Sequence, residues 1–131
     1  MTTLFSATAE TVNERSGVSA GRVALWAGQI LIAAAFLAAG GSKLAGVPAM
    51  VTMFDAIGIG QWFRFVTGAI EVGAAIALLI PSLALYGALA LAVTMIGAVF
   101  TDLFIVGGSP LPPLVLFAAS AAIAWARRDQ F

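Results

Sequence analysis

The side chains that could do chemistry in this chain are charged residues that lie within or beside long apolar segments. Glu71 lies near the middle of FRFVTGAIEVGAAIALLI, residues 63–80, and Arg64 lies seven residues before it. Seven residues is close to two helical turns, so the two side chains would share one helix face about 10 Å apart along the axis. Gly68 lies between them on that face and leaves room beside the backbone. A carboxylate is costly in such an apolar setting, and it indicates a partner or a function.

Two more charged residues come from the neighbouring apolar segments. Lys43 closes the segment before residues 63–80, and Asp102 lies near the end of the segment after it. If successive segments run up and down, all four charged residues meet in one half of the bundle, whichever way the bundle is oriented. Lys43 and Arg64 can donate hydrogen bonds, and Glu71 could relay a proton. Without a partner Glu71 would take a proton, whereas a basic partner would let it stay ionised.

We therefore predict a site in this half of the bundle. The predicted catalytic residues are Glu71, Lys43 and Asp102. The predicted ligand-binding residues are Arg64, Thr67, Gly68, Trp62 and Thr94. The alternative is a structural ion pair that fixes the helix register, although a buried pair often adds little net stability.

The composition indicates a membrane protein with one small domain. Of the 131 residues, 62% are hydrophobic and 9% are charged, and the mean hydropathy is +1.08. Soluble domains are about 45–50% apolar and about 25% charged. The absence of cysteine and histidine excludes a disulfide, a thiolate-metal site and a histidine-ligated haem, and we predict no metal site and no intrinsic cofactor. Because the formal charge is zero and no basic run exists, nucleic acid is not an expected partner.

Four apolar segments predict an all-α fold, an integral membrane four-helix bundle. They span residues 22–44, 62–80, 83–106 and 111–125, and each approaches the roughly 20 residues that cross a bilayer. Between the first two, VPAMVTMFDAIGIGQ is too short to cross. It predicts a short interfacial helix that begins at Pro48, carries Asp55 and ends at the glycines Gly58 and Gly60. Residues 1–21 are predicted to be a flexible tail, so residues 22–131 form a single transmembrane domain.

Basic residues near the chain ends predict the orientation. The flanking arginines are Arg15, Arg22, Arg127 and Arg128. Because lysine and arginine are enriched on the cytoplasmic side, they place both termini in the cytoplasm and the protein in the cell (inner) membrane. Lys43 and Arg64 oppose this by count, but they adjoin acidic residues at helix ends.

Polar and small residues outside the charged cluster predict helix contacts. Gln29 lies about 20 Å from Lys43 along its helix, so it is expected to bond another helix rather than join the cluster. Gly73 and Gly87 recur with other small residues at roughly helical spacing, and we expect both to mediate close helix packing.

These landmarks resemble the DoxX-like family of small four-helix membrane proteins, over roughly Ala24 to Arg128. The resemblance rests on the order of AAGGSKLAG, MFDAIGI, TGAIEVGAAIALLIP, TMIGAVFTDLF and AWARR. It implies that Lys43 corresponds to the lysine after the first helix and Glu71 to the intramembrane glutamate. The resemblance implies a histidine in many members at the position of Asp102. This chain departs from that pattern, so a histidine-dependent role would not carry over.

The resemblance also implies a functional setting. The family includes a membrane subunit linked to thiosulfate oxidation with quinone, and other members are associated with membrane redox complexes and oxidative-stress defence. Our preferred prediction is a redox-associated subunit that binds a quinone or isoprenoid-like molecule and works with a redox partner protein in the lipid bilayer. The alternatives are a stand-alone enzyme doing acid–base chemistry on a lipid-soluble substrate and a non-catalytic structural or assembly subunit. A transporter or proton channel would need a polar path through both halves of the bundle, and the inner half offers only Gln29. A homo-oligomer is compatible with each of them.

Overall fold

The computed structural model describes residues 2–128, and the side chains of residues 20–128 within that range. The described range contains α1 (Thr2–Ala45), α2 (Pro48–Ile57), α3 (Trp62–Leu78), α4 (Ala84–Thr101) and α5 (Leu111–Ala126). A π-helical turn, Asp102–Val106, extends α4, and no strand occurs in the same range. The all-α prediction is confirmed: α1, α3, α4 and α5 are the predicted bundle helices, and α2 is the predicted short connecting helix.

The helices differ in how well they match a bilayer. Residues 20–45 of α1 are long and apolar enough to cross a membrane, and so are residues 84–106, which comprise α4 and the π-helical turn. The 17 residues of α3 and the 16 of α5 fall below the usual span of about 20. The backbone of α1 begins at Thr2, inside the segment predicted to be a tail. The division into a flexible tail and a transmembrane domain stays a prediction.

The ends of α2 follow the sequence signals. Pro48 opens the helix, where the absence of an N–H costs nothing. Gly58 ends it with φ +88°, a left-handed conformation that favours glycine, and its N–H donates to the Phe54 carbonyl at 3.2 Å. Both predicted boundaries are confirmed. The chain turns at these two boundaries, and α2 lies against α1, α3 and the π-helical turn at one end of the bundle.

The bundle is apolar both inside and outside. α1 packs along α3, α3 along α4, and α4 along α5. Phe36, Leu78 and Leu91 are fully buried between these helices, while Leu31 and Phe104 are 70% and 72% exposed on the outer surface. Helices that are apolar all round are typical of a membrane bundle.

Gln29 joins three helices at the end of the bundle opposite Lys43. Its side chain is fully buried, and its amide nitrogen donates to the Leu78 carbonyl at 2.8 Å, where α3 ends. Its amide oxygen accepts from Nε and Nη2 of Arg127, after the end of α5, at 2.9 and 2.6 Å. The prediction that Gln29 bonds another helix is confirmed, and every polar atom of its side chain has a partner.

Glycines set how closely the helices approach. A Cβ on Gly68 would lie 2.9 Å from the Gly40 carbonyl oxygen of α1, and a Cβ on Gly87 would lie 2.7 Å from the Ala74 carbonyl oxygen of α3. The predicted packing role of Gly87 is therefore confirmed. That of Gly73 is wrong, because its Cβ would have nothing within 4 Å. The interior face of α3 is the face of Gly68 and Glu71, which is offset from Gly73.

Gly87→Ala should destabilise the bundle, because the added methyl group meets the backbone of α3. We expect the unfolding free energy to fall by about 1–3 kcal/mol, as overpacked sites do. Denaturant titration of the purified protein in mixed micelles, followed by circular dichroism, measures the loss. Gly73→Ala is the matched control and should show no loss; equal losses in both variants would contradict the packing.

Candidate functional site

A cavity of about 920 Å³ opens in the half of the bundle that contains Lys43. All five helices contribute to its walls, which are largely apolar. Representative lining residues are Phe36, Phe54, Ile70, Met95 and Leu116. The volume lies within the range of small-molecule sites, about 300–1,000 Å³. The cavity can therefore hold a molecule with an apolar body.

The polar floor of the cavity is an ion pair between α1 and α3. Nζ of Lys43 lies 2.9 Å from Oε1 of Glu71, and both residues line the cavity. Glu71 is 1% exposed, and its second oxygen, Oε2, is buried with no hydrogen-bond partner among the described residues. A buried acceptor without a donor is costly. The acceptor that lacks a donor therefore belongs to a residue that lines the cavity.

Arg64 lies outside the cavity lining and fastens the end of α1. Its Nη1 donates to the main-chain carbonyl of Lys43, and its Nε donates to Oε1 of Gln61 at 2.7 Å. The Gln61 amide nitrogen donates in turn to Oδ1 of Asp55 at 2.8 Å. The last carbonyls of a helix lack partners within the helix. Arg64 satisfies one of them at the residue whose side chain reaches Glu71, so Arg64 positions Lys43.

Gly46 makes room for this contact just after α1. Its φ is +73°, in the left-handed region, and a Cβ there would lie 3.3 Å from Nη1 of Arg64. Glycine at position 46 therefore allows the left-handed turn after α1 and leaves space for the Arg64 guanidinium.

The remaining predicted ligand-binding residues divide into two groups. Thr67 and Thr94 line the cavity. Gly68 lies behind the ion pair in the contact with α1, and Trp62 is 59% exposed, with its indole N–H donating to the Ile59 carbonyl at 2.7 Å. The cavity therefore brings together five of the eight predicted residues: Lys43, Glu71, Asp102, Thr67 and Thr94. Arg64, Gly68 and Trp62 lie elsewhere.

Asp102 lines the cavity as the first residue of the π-helical turn. Such turns occur frequently at functional sites. Its Oδ1 would lie 3.0 Å from a Cβ on Gly108, so the absence of a side chain there leaves space for the carboxylate. Asp102 forms no ion pair within the described range. It adds a second carboxylate to the cavity.

Sequence reasoning missed Gln61, which links Arg64 to Asp55. The available signal was its place three residues before Arg64, one helical turn away at the start of α3. Ser120, a polar residue of α5, is fully buried but does not line the cavity. Instead, α5 contributes Pro112, Pro113 and Leu116 to the wall.

Comparison with known families adds an independent observation. The model of the DoxX-like family matches residues 27–129, which is most of the chain. This chain belongs to the DoxX-like family. The resemblance inferred from the order of the sequence landmarks is confirmed, and this DoxX-like protein is accordingly a membrane protein in contact with lipid. Comparison with curated proteins and with solved structures gives no match.

Removing one partner of the ion pair should be far more harmful than removing both. Lys43→Met leaves the Glu71 carboxylate buried without a cation, and we expect a loss of about 3 kcal/mol of unfolding free energy. Lys43→Met combined with Glu71→Leu should recover most of that loss. A double-mutant cycle by denaturant titration in mixed micelles tests this; strictly additive losses would contradict an energetic coupling between the two side chains.

Arg64→Lys should lower stability although it keeps the charge. A lysine cannot reach the Lys43 carbonyl and Gln61 together as the guanidinium does. The expected cost is about 1–3 kcal/mol, since at least one hydrogen bond from the charged guanidinium to a part-buried acceptor is lost. Arg128→Lys, at an exposed position, is the control in the same unfolding assay. An Arg64→Lys protein as stable as the control would refute the positioning role.

Proposed function

We propose that this DoxX-like protein binds an apolar small molecule, quinone or isoprenoid-like, in the cavity between its helices. The body of the molecule would lie along the apolar walls, and its polar head would lie at Lys43 and Glu71. The observation that carries this proposal is the unpartnered Oε2 of Glu71, buried at the floor of a cavity of about 920 Å³. A purely structural ion pair would need neither the cavity nor a free acceptor.

The proposal places α1, α3, α4 and α5 across the cell (inner) membrane, with both termini in the cytoplasm. Arg22 and Arg128 then flank the cytoplasmic ends, and the cavity lies in the outer half. The short α3 and α5 suit this arrangement if the bilayer thins locally or the helices stand nearly upright. A lipid-soluble ligand could then reach the cavity from within the membrane.

The preferred role is that of a redox-associated subunit. A bound quinone would supply electron transfer, with a partner protein as the source or acceptor of the electrons. Lys43 has N–H groups to orient a ligand oxygen, and Glu71 can accept and release a proton beside it. Support for the redox setting comes from the family resemblance, while support for the binding site comes from the geometry of the cavity.

A stand-alone enzyme is the second candidate, favoured by the two carboxylates that share the cavity. Glu71 is buried and Asp102 is partly exposed, so their surroundings differ. A pair of carboxyl groups in unlike environments can divide the roles of acid and base. Turnover of a lipid-soluble substrate by the purified protein would favour this candidate, and activity that requires a partner would favour the redox subunit.

Filling the cavity should expel the ligand while the ion pair stays intact. Gly97 lines the cavity, and a Cβ there would meet nothing within 4 Å, so Gly97→Leu adds volume without a clash at its first atom. We expect the wild-type protein, purified in mild detergent, to carry about one apolar molecule per chain. Gly97→Leu should lose most of it, as measured by solvent extraction and mass spectrometry.

Gly73→Leu is the matched control, because Gly73 also has open space around it but does not line the cavity. It should retain the ligand at the wild-type level. Bulk phospholipid alone, in equal amounts in all three proteins, would contradict the proposal and favour a structural or assembly subunit.

A further inference from the structure

The threonine hydroxyl groups in the cavity already donate their protons within the protein. Thr67 donates to the Phe63 carbonyl at 2.9 Å, Thr94 to Ala90 at 2.8 Å and Thr101 to Gly97 at 2.8 Å. All three threonines line the cavity, and each bonds the carbonyl four residues earlier in its own helix. A hydroxyl has one proton and two lone pairs. What these residues still offer a ligand is therefore acceptor capacity only.

The carboxylates add to this excess of acceptors. Glu71 presents the buried, unpartnered Oε2, and Asp102 presents a carboxylate that forms no ion pair within residues 20–128. Against them, the side-chain donors among the lining residues are Lys43 and Ser109. Ser109 is exposed, and its Oγ accepts from the Leu111 N–H at 3.3 Å. At the buried floor, only Lys43 can donate.

We propose that the cavity selects an apolar molecule with a hydroxyl head over one whose head only accepts hydrogen bonds. This inference rests on the proposed function and specifies the ligand class. A hydroxyl oxygen can accept from Nζ of Lys43 while its proton goes to Oε2 of Glu71, so one group satisfies both partners. A carbonyl or an ether takes the Lys43 proton and leaves Oε2 unpaired, so of the two redox forms of a quinone the reduced quinol, which carries hydroxyls, would bind more tightly. An ammonium satisfies Oε2 but faces the charge of Lys43.

Three probes that share one isoprenoid tail separate these cases: farnesol, farnesyl methyl ether and farnesylamine. Their dissociation constants are measured by equilibrium dialysis against the full-length protein in lipid nanodiscs. Nanodiscs of the same lipid without protein serve as the blank for partition into lipid. We expect farnesol to bind at least about tenfold more tightly than the ether, because a buried acceptor left without a donor weakens binding by that order.

The outcomes distinguish the inference from the proposed function. Equal binding of alcohol and ether above the blank overturns the hydroxyl selection while leaving the apolar site in place. Tightest binding of the amine also overturns it and identifies a cation site instead. Binding of all three at the level of the blank contradicts the proposed binding function itself for isoprenoid ligands. The wild-type comparison needs no substitution, so it holds even where a variant fails to fold.

Two variants then locate the selecting atom. Glu71→Gln should reduce the preference for alcohol over ether to below about threefold, because an amide offers a donor as well as an acceptor. Thr52→Val is the control. Like the cavity threonines, Thr52 donates to the carbonyl four residues earlier, that of Pro48, at 3.0 Å, but it lies outside the cavity. It should keep the wild-type ratio. An unchanged ratio in a folded Glu71→Gln protein would overturn the assignment to Oε2.

Discussion

A carboxylate inside an apolar bundle must find a counter-charge, and the rest of this structure is arranged around that requirement. Glu71 meets Lys43 at 2.9 Å across the interface of α1 and α3. The two helices can come that close because Gly40 and Gly68 face each other without side chains. Arg64 in turn holds the main-chain carbonyl of Lys43, so the lysine is fixed through its backbone as well as its side chain. Desolvation of both charges makes such a pair a weak source of net stability, which favours a role beyond holding the helices together.

The two ends of the bundle use buried polar groups in opposite ways. At one end, Gln29 satisfies every polar atom of its side chain through Leu78 and Arg127, and this end joins α1, α3 and α5. At the other end, Glu71 keeps one oxygen without a partner beside a cavity. A fully satisfied polar network rigidifies a core, whereas a partly satisfied one is costly unless something completes it. The closed end therefore acts as the support, and the open end has the properties of a binding site.

The sequence predicted the helices well because their signals are local. Hydropathy predicted the four bundle helices. The short length of the connecting segment predicted α2, and Pro48 and Gly58 predicted its limits. The site was predicted only in part. Spacing correctly put Arg64 and Glu71 on one helix face, but the reach of the guanidinium to the end of α1 depends on how the two helices pack. The Arg127 partner of Gln29 lies 98 residues away and has no local signal. No residue pattern predicts the π-helical turn that carries Asp102, because the turn depends on how the end of α4 packs against its neighbours.

Infrared difference spectroscopy of ligand binding tests the central claim most directly, because it observes the Glu71 carboxyl group itself. The wild-type spectrum with and without farnesol is compared with that of Glu71→Gln, which identifies the Glu71 band by its loss. If the hydroxyl head binds at Oε2, farnesol should shift that band and the methyl ether should leave it nearly unchanged. Farnesol that binds the wild-type protein without shifting the Glu71 band would contradict the account, since the ligand would then lie elsewhere.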